Sequence, residues 1–521
     1  MKELKNLPIG IQTFKNMREG NYVYVDKTEH AYRIAKNGGA FFLSRPRRFG
    51  KSLMLSTLHE LFEGNRLLFK DLWIEDKWDW TIQSPIIHIS FSSVAYKNQS
   101  LEAGIRQFLL KLFKKNNLDA GEETDISLLF TDLIEQMNDK HGKVVILIDE
   151  YDKPLIDHLE FHELEQAKIN QTTLAHFYSG LKECDDFIRL LFITGVSKFT
   201  KVSLFSKLNN LTDLTVNPKF STLTGYTKEE VEHYFEAYIQ ETLSILTQYN
   251  RSELLEEMRL WYNGYSWDGK TRLYNPYDVM LFFFNQDFQS FWFSTGTPKF
   301  LVDRMLQQNF YQIEDIEANL SFLDEYSLDN LEITSLMFQS GYLTIKENKG
   351  KGNLVLSYPN QEVRNALYGF LISKMGKPIN GGGITVQHLN KAFLDNDLQR
   401  VQTILTTLFE NLTYDVYAHQ TVQQVEGFYH GLIYILFKYL GIYVQSEVHT
   451  KKGRADAIVQ TSTHIYFLEF KINSNGGAAL QQIITKQYAN TYAADSRIKI
   501  GIGINFNLQT RELDGWEEAI L

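Results

Sequence analysis

The chain has 521 residues, 44% hydrophobic and 14% aromatic, which is too long for one core and implies roughly two to four domains. A single cysteine, Cys184, excludes a disulfide framework and any cysteine-based zinc site, and fits a reducing cytoplasmic setting. The formal net charge of -10 argues against a dedicated nucleic-acid coat but is compatible with an enzyme carrying a local basic cleft.

The N-terminal MKELKNLPIGIQTF has no apolar core of signal-peptide length. AFFLS, 40–44, reads as a short buried strand, and KSLMLSTLHELFEG as a helix stopped by Gly64. PIIHISFSSV is a second apolar strand, LEAGIRQFLLKLFKKN a helix, and KVVILIDEYDKP an apolar strand ending in acids. A helix over about 163–183 precedes a further strand, IRLLFITGVSK. Strands apolar on both faces, alternating with helices, predict an α/β fold with a parallel sheet covered on both sides.

Residues 218–310 are aromatic-rich and read as an appended helical lid, after a first domain at 1–217. Residues 311–410 read as a helical connector with a small β element in LTIKENKGKGNLVLSY. From 411 to 521 a compact α/β unit is expected. It has a helix in QQVEGFYHGLIYILFKYL and strands at GIYVQSEVHT, RADAIVQT and HIYFLEFKI, then a helix, GAALQQIITKQYA, and a final strand, IKIGIGINF. The most apolar run, LIYILFKYLGIYV, is interrupted by Lys438 and too short to span a bilayer, so no membrane partner is expected.

Two stretches carry chemistry. The first is SRPRRFGKS, Ser44 to Ser52. A phosphate loop needs a strand, a turn of backbone N–H groups, a helix N-terminus and a lysine. Gly50, Lys51 and Ser52 supply the ending of such a loop, with Ser52 a ligand for Mg²⁺, but Arg45 stands where the first glycine is usual and Pro46 removes an N–H donor. About a hundred residues on, Asp149 and Glu150 end an apolar strand, where the Asp can hold Mg²⁺ and the Glu can orient or deprotonate water. Thr194 and Ser197 end the next strand and can face the γ-phosphate. The separation of about a hundred residues between the GKS loop and Asp149, with one strand between, suits the additional-strand branch of the P-loop fold, with Arg45, Pro46, Arg47, Arg48 and Phe49 completing an ATP-binding loop. The three arginines can serve the phosphates of ATP, as an arginine finger would, or face DNA or a partner; the sequence leaves this open.

The second stretch is HIYFLEFKI. Strand alternation puts Glu469 and Lys471 on one face and Leu468, Phe470 and Ile472 on the other. A carboxylate and a lysine on an open face, with Asp456 thirteen residues earlier at the start of the preceding strand, suit metal-assisted phosphodiester hydrolysis. Asp456 and Glu469 would hold Mg²⁺, and Lys471 would position water or stabilise charge on phosphorus. Glu426 can add a ligand, and Gln482 can hold the phosphate or the lysine. Tyr429, His430, Lys486 and Tyr488 are weaker candidates.

With these residues in place, the chain resembles the bacterial AAA-ATPase-like proteins that carry a C-terminal PD-(D/E)XK nuclease domain. The matching stretches are LPIGIQTF, YVDKT, FFLSRPRRFGKS, LIDEYDKP, FITGVSKF, LTGYT, STGTPKFL, GRAD, LEFK and ALQQI. The resemblance implies that Lys51, Ser52, Asp149 and Glu150 serve ATP and Mg²⁺, that Asp456, Glu469 and Lys471 form the nuclease core, and that an arginine at the first-glycine position is the group's own form of the loop. The PD pair of the family name reads AD here, Ala455 preceding Asp456. Related ATPases form rings or dimers that supply an arginine in trans, so a homo-oligomer is one expectation.

Other signals carry less. His158 and His162 have i, i+4 spacing but sit on a polar helix face. GIGIN at Gly501 looks like a dinucleotide fingerprint with no helix after it. Tyr24, Asp26 and Lys27 can contact adenine or ribose or simply pack, and the aromatics of 261–293 can stack bases or form the lid core. The reading is a cytoplasmic ATPase coupled to a Mg²⁺-dependent nuclease acting on nucleic acid, DNA first, in defence or mobile-element processing. The alternatives are a regulatory ATPase whose nuclease-like domain binds without cutting, and an interaction ATPase with a vestigial C-terminal domain.

Overall fold

A computed structural model describes residues 4–198, 210–294, 299–324, 328, 331–376, 381–410, 422–441, 445–448, 456–507, 509–510 and 512–521. The chain divides into two compact units, 1–301 with 313–363, and 302–312 with 364–521. The span 311–410, one connector in the sequence reading, is therefore divided between them.

The first unit is built on five strands: β1 (Gly39–Ser44), β2 (Ile86–Ser90), β3 (Val144–Asp149), β4 (Ile188–Gly195) and β5 (Leu211–Asp213), in the order β2-β3-β4-β1-β5. All neighbours pair in parallel. Every residue of β3 is buried, as expected of a strand covered on both faces. Alternate residues of neighbouring strands, Phe41, Leu43, Val145, Leu147, Leu190 and Phe192, share a core with Leu55, Leu58 and Phe62 of the helix Lys51–Phe62. Each such side chain contributes roughly 1.5–3 kcal/mol by leaving water. β4 lies between β1 and β3, so the sheet has the additional strand that the spacing of the motifs predicts. The C-terminal ends of β1, β4 and β3 stand side by side, the edge where open parallel sheets bind ligands.

The same unit carries an aromatic-rich helical segment after the sheet. Helices Lys228–Tyr234 and Arg251–Tyr262 open on capping boxes, Thr227 with Glu230 and Asn250 with Glu253. Their aromatic faces pack with Pro276–Asn285, the Phe235 and Phe283 rings stacking at 5.4 Å. The aromatics of this segment are therefore largely core. β6 (Ile316–Asn319), β7 (Thr344–Gly350) and β8 (Asn353–Ser357) form a small antiparallel sheet.

The second unit has a mixed sheet of β9 (Gln445–Val448), β10 (Ala457–Gln460), β11 (His464–Ile472), β12 (Ile498–Asn507) and β13 (Glu512–Ile520), in the order β13-β12-β11-β10-β9. β11 and β12 are parallel and joined by the helix Gly476–Thr485; the other pairs are antiparallel. The glycines of GIGIN have a packing reason. A Cβ at Gly503 would stand 2.2 Å from the Gly476 carbonyl oxygen, so only glycine lets this helix seat on β12. IKIGIGINF is not the last strand, since β13 follows it. Among the described residues no helix is long and apolar enough to cross a membrane.

Candidate functional site

In the first unit β1 delivers the loop Arg45–Gly50 to the N-terminus of the helix Lys51–Phe62. The turn needs left-handed backbone at Arg48 (φ 68°) and Gly50 (φ 89°), natural for the glycine and strained for the arginine. Lys51 is buried, and its ammonium donates to the carbonyls of Arg45 (2.9 Å) and Pro46 (3.0 Å). Burial lowers its pKa, with Asp149, Asp152 and Glu150 opposing. A cation so placed gains from any anion that enters.

Asp149 is the hub of the three strand ends. Its Oδ2 accepts from the Ser52 hydroxyl at 2.6 Å and its Oδ1 from Thr194 at 2.6 Å. Glu150, in left-handed backbone (φ 52°), is turned from the strand and accepts from the Ser92 hydroxyl. A serine hydroxyl in contact with a carboxylate beside a buried lysine is a donor set that fits Mg²⁺ and phosphate.

The loop's unusual residues point elsewhere. Arg45 is 1% exposed. Its Nη1 donates to the carbonyls of Ser44 (2.9 Å) and Thr215 (2.7 Å), and its guanidinium lies 4.0 Å from the centre of the Trp267 ring. Burial pushes it down to about 9, with Asp213 and Asp268 opposing. Pro46 is packed against Gly341, where a Cβ would meet its ring at 2.7 Å, and Phe49 is edge-on to Tyr265 and Trp267. The Trp292 indole donates to the Arg47 carbonyl at 3.1 Å. Arg45 and Phe49 thus fasten the loop to the aromatic segment and Pro46 fastens it to Gly341, and the Arg45 side chain does not line the adjoining cavity. Arg47 and Arg48 are exposed and do line it, Arg48 lying 4.9 Å above the Tyr277 ring.

That cavity, about 360 Å³, runs from Lys51, Ser52, Ser92 and Glu150 to the N-terminal segment and the lid. Tyr24 and Lys27 line it, Lys27 paired with Glu230 at 2.6 Å. Asp26 is occupied elsewhere, capping Thr28 and accepting from the Trp73 main chain.

In the second unit the antiparallel register Ala457↔Leu468, continued by one residue, sets Asp456 opposite Glu469. Asp456 Oδ2 accepts from the Phe470 main-chain N–H at 2.9 Å. Glu469 is buried rather than on an open face, because β11 is covered on both sides. Burial, then the charge of Asp456, push it up to about 7, with Lys471 opposing. Its Oε2 is buried without a hydrogen-bond partner. Lys471 reaches Gln482 Oε1 at 2.6 Å and Glu469 at 3.4 Å, while Gln482 Nε2 donates to Glu469 and, at 3.2 Å, to Tyr488 Oη. Two facing carboxyls raised by burial, Glu469 also by the charge of Asp456, one with an orphaned oxygen, fit a divalent cation.

A family model for predicted AAA-ATPases matches residues 8–205, and one for the PD-(D/E)XK nuclease superfamily matches 424–516. An "Uncharacterized protein in vnfD 5'region" of Azotobacter chroococcum mcd 1 is 38% identical over 523 residues, covering 98% of each chain. The chain belongs to the predicted AAA-ATPases that carry a C-terminal PD-(D/E)XK nuclease superfamily domain.

Within this family member the structure adds a residue that sequence reasoning passed over. Asp152 is buried, and its Oδ2 takes the N–H groups of Val196 (3.0 Å) and Ser197 (2.6 Å) and the Ser197 hydroxyl (2.6 Å). It clamps the turn after β3 to the exit of β4. The available signal was a second aspartate three residues after Asp149 in LIDEYDKP. Ser197 is thus bound to Asp152. In the nuclease superfamily domain Tyr429 packs on Phe506 at 4.1 Å as core, His430 is exposed and its charge acts on Asp456, and Lys486 is exposed at a helix end. The Glu426 side chain and residues 453–455 of GRAD lie outside the described residues, as do 295–298 of STGTPKFL. His158 and His162 face Glu160 and Glu163, and among the described residues no group of three or more His, Cys, Asp or Glu is arranged to hold a metal.

Proposed function

We propose that the N-terminal domain binds and hydrolyses ATP with Mg²⁺, and that the C-terminal domain cleaves nucleic acid, DNA first, under control of the ATP state in defence or mobile-element processing. The observation that carries this is the hydroxyl–carboxylate–hydroxyl row Ser52–Asp149–Thr194 across three adjacent strand ends, beside Lys51. Mg²⁺, when bound, would neutralise phosphate charge and activate water, held by Ser52 and Asp149 at one site and by Asp456 and Glu469 at the other.

The protein's own residues do the rest. Lys51 exchanges its loop carbonyls for phosphate oxygens, and the helix N-terminus adds its N–H groups. Thr194 fixes the Asp149 carboxylate. Glu150, oriented by Ser92, holds the attacking water and accepts its proton. In the second domain Gln482 holds Lys471 where the ammonium can meet charge developing on a phosphodiester.

Equilibrium binding of ATP to the full chain tests the first half. Wild type should bind saturably, and Lys51→Ala should weaken binding by about a hundredfold, the cost of losing a charge-assisted contact. Glu150→Gln should keep binding and lose phosphate release. Equal ATP affinity in wild type and Lys51→Ala would contradict the assignment.

A further inference from the structure

The phosphate loop is short of two things that such loops ordinarily have. Arg45 replaces a glycine, and Pro46 removes an N–H donor. Its main chain is instead fastened by neighbouring segments at every second residue. The Arg45 N–H donates to the Gly195 carbonyl (3.2 Å), the Arg47 carbonyl accepts the Trp292 indole N–H (3.1 Å), and the Phe49 carbonyl accepts the Gly225 N–H (3.3 Å). The middle fastening adjoins the most demanding point of the turn, the left-handed backbone of Arg48 (φ 68°). A planar trans peptide unit points its C=O and N–H in opposite directions. Holding the Arg47 carbonyl therefore turns the Arg48 N–H away from Trp292. Arg47 and Arg48 line the cavity that holds Lys51, and Trp292 does not.

The indole is itself held in place. Trp292 is 6% exposed, and its ring packs on Tyr342 at 5.3 Å. Gly341 permits the close approach of loop and indole: a Cβ there would meet the Pro46 ring at 2.7 Å and the Trp292 ring at 3.2 Å. Behind the indole, Glu362 Oε1 accepts the main-chain N–H groups of Trp292 (2.7 Å) and Phe293 (3.3 Å). Glu362 is buried, so losing that acceptor would leave both N–H groups unpaired away from water.

We propose that Trp292 is a positioning residue for the phosphate loop: held by Glu362, it turns the Arg48 N–H toward an incoming phosphate and replaces the donor that Pro46 removes. This role rests on the nucleotide reading above and deepens it. A glycine would take up the left-handed turn freely, whereas here the geometry is imposed on Arg48 from outside the parallel sheet. The loop is therefore competent for phosphate only while the Trp292 segment is docked on it.

Calorimetric titration of the full chain with inorganic tripolyphosphate, with melting midpoints recorded on the same samples, tests this role. Trp292→Phe keeps an aromatic ring, removes the N–H, and should weaken tripolyphosphate by about tenfold. Glu362→Met removes the acceptor behind it and should weaken tripolyphosphate to a similar degree. Glu362→Gln keeps an acceptor oxygen and should retain wild-type affinity. The double variant Trp292→Phe with Glu362→Met should bind no more weakly than Trp292→Phe alone, since both act on one peptide unit; independent structural damage would add. Unchanged affinity in Trp292→Phe, a loss in Glu362→Gln equal to that in Glu362→Met, or additive losses in the double variant would overturn the proposal. If Glu362→Met does not fold, Trp292→Phe and Glu362→Gln decide alone. A wild-type chain that binds no tripolyphosphate would overturn the nucleotide reading itself, and this role of Trp292 with it.

Discussion

Arg45 occupies the position where a phosphate loop ordinarily has glycine, and its side chain turns under the loop onto Trp267 rather than into the cavity. Its charge is answered by two carbonyls and an aromatic face, so removing it leaves those groups unpaired in a buried site. Arg45→Ala should cost about 2–4 kcal/mol of stability, read as a lower melting midpoint, while folded protein keeps ATP affinity within about threefold. Unchanged melting with lost ATP binding would instead put Arg45 on the phosphates. The question of which arginine does what was not legible in SRPRRFGKS, because no periodicity fixes side-chain direction in a loop. Lys51, Ser52 and Asp149 were legible because strand and helix ends fix theirs. Asp152 was hidden for the same reason as Arg45: its partners, Val196 and Ser197, lie 44 and 45 residues away.

Between elements, a buried acidic pair stands behind the Trp292–Arg47 contact. Asp278, on the helix Pro276–Asn285, and Glu362, at the start of Gln361–Gly376, are fully buried, and the charge of Glu362 adds to burial in raising Asp278. Glu362 Oε1 accepts the main-chain N–H groups of Trp292 (2.7 Å) and Phe293 (3.3 Å), and the Trp292 indole holds the Arg47 carbonyl. Burial pushes Asp278 well up and Glu362 up to about 7. Raised carboxyl values mean that folding favours the protonated form. The stabilisation is complete below the ordinary carboxylate range and is lost as pH rises through about 7, on the order of 3 kcal/mol for Glu362. Melting midpoints across this window should fall for wild type and fall less steeply for Glu362→Gln; a wild-type profile no steeper than the variant's would contradict the raised Glu362 carboxyl. At this scale the sequence conveyed strand–helix alternation, and the parallel sheet followed from it. It did not convey β13, because ELDGWEEAI is an exposed edge strand with no apolar alternation to mark it. Nor did alternation reveal that Glu469 is buried, since the covering of both faces of β11 is a tertiary fact.

At the scale of the whole molecule one chain carries the Ser52–Asp149 contact in one unit and the Lys471–Gln482 contact in the other. The two family matches, at residues 8–205 and 424–516, establish the pairing of domains. The most direct measurement is nicking of supercoiled plasmid by the full chain with Mg²⁺ or Mn²⁺, with and without ATP, wild type beside Lys51→Ala and Asp456→Ala. The expected result is cleavage by wild type that responds to ATP, loss of that response in Lys51→Ala, and loss of cleavage in Asp456→Ala. Cleavage that persists in Asp456→Ala, or no cleavage under any condition, would contradict the nuclease assignment, and cleavage by Lys51→Ala with an undiminished ATP response would contradict the coupling.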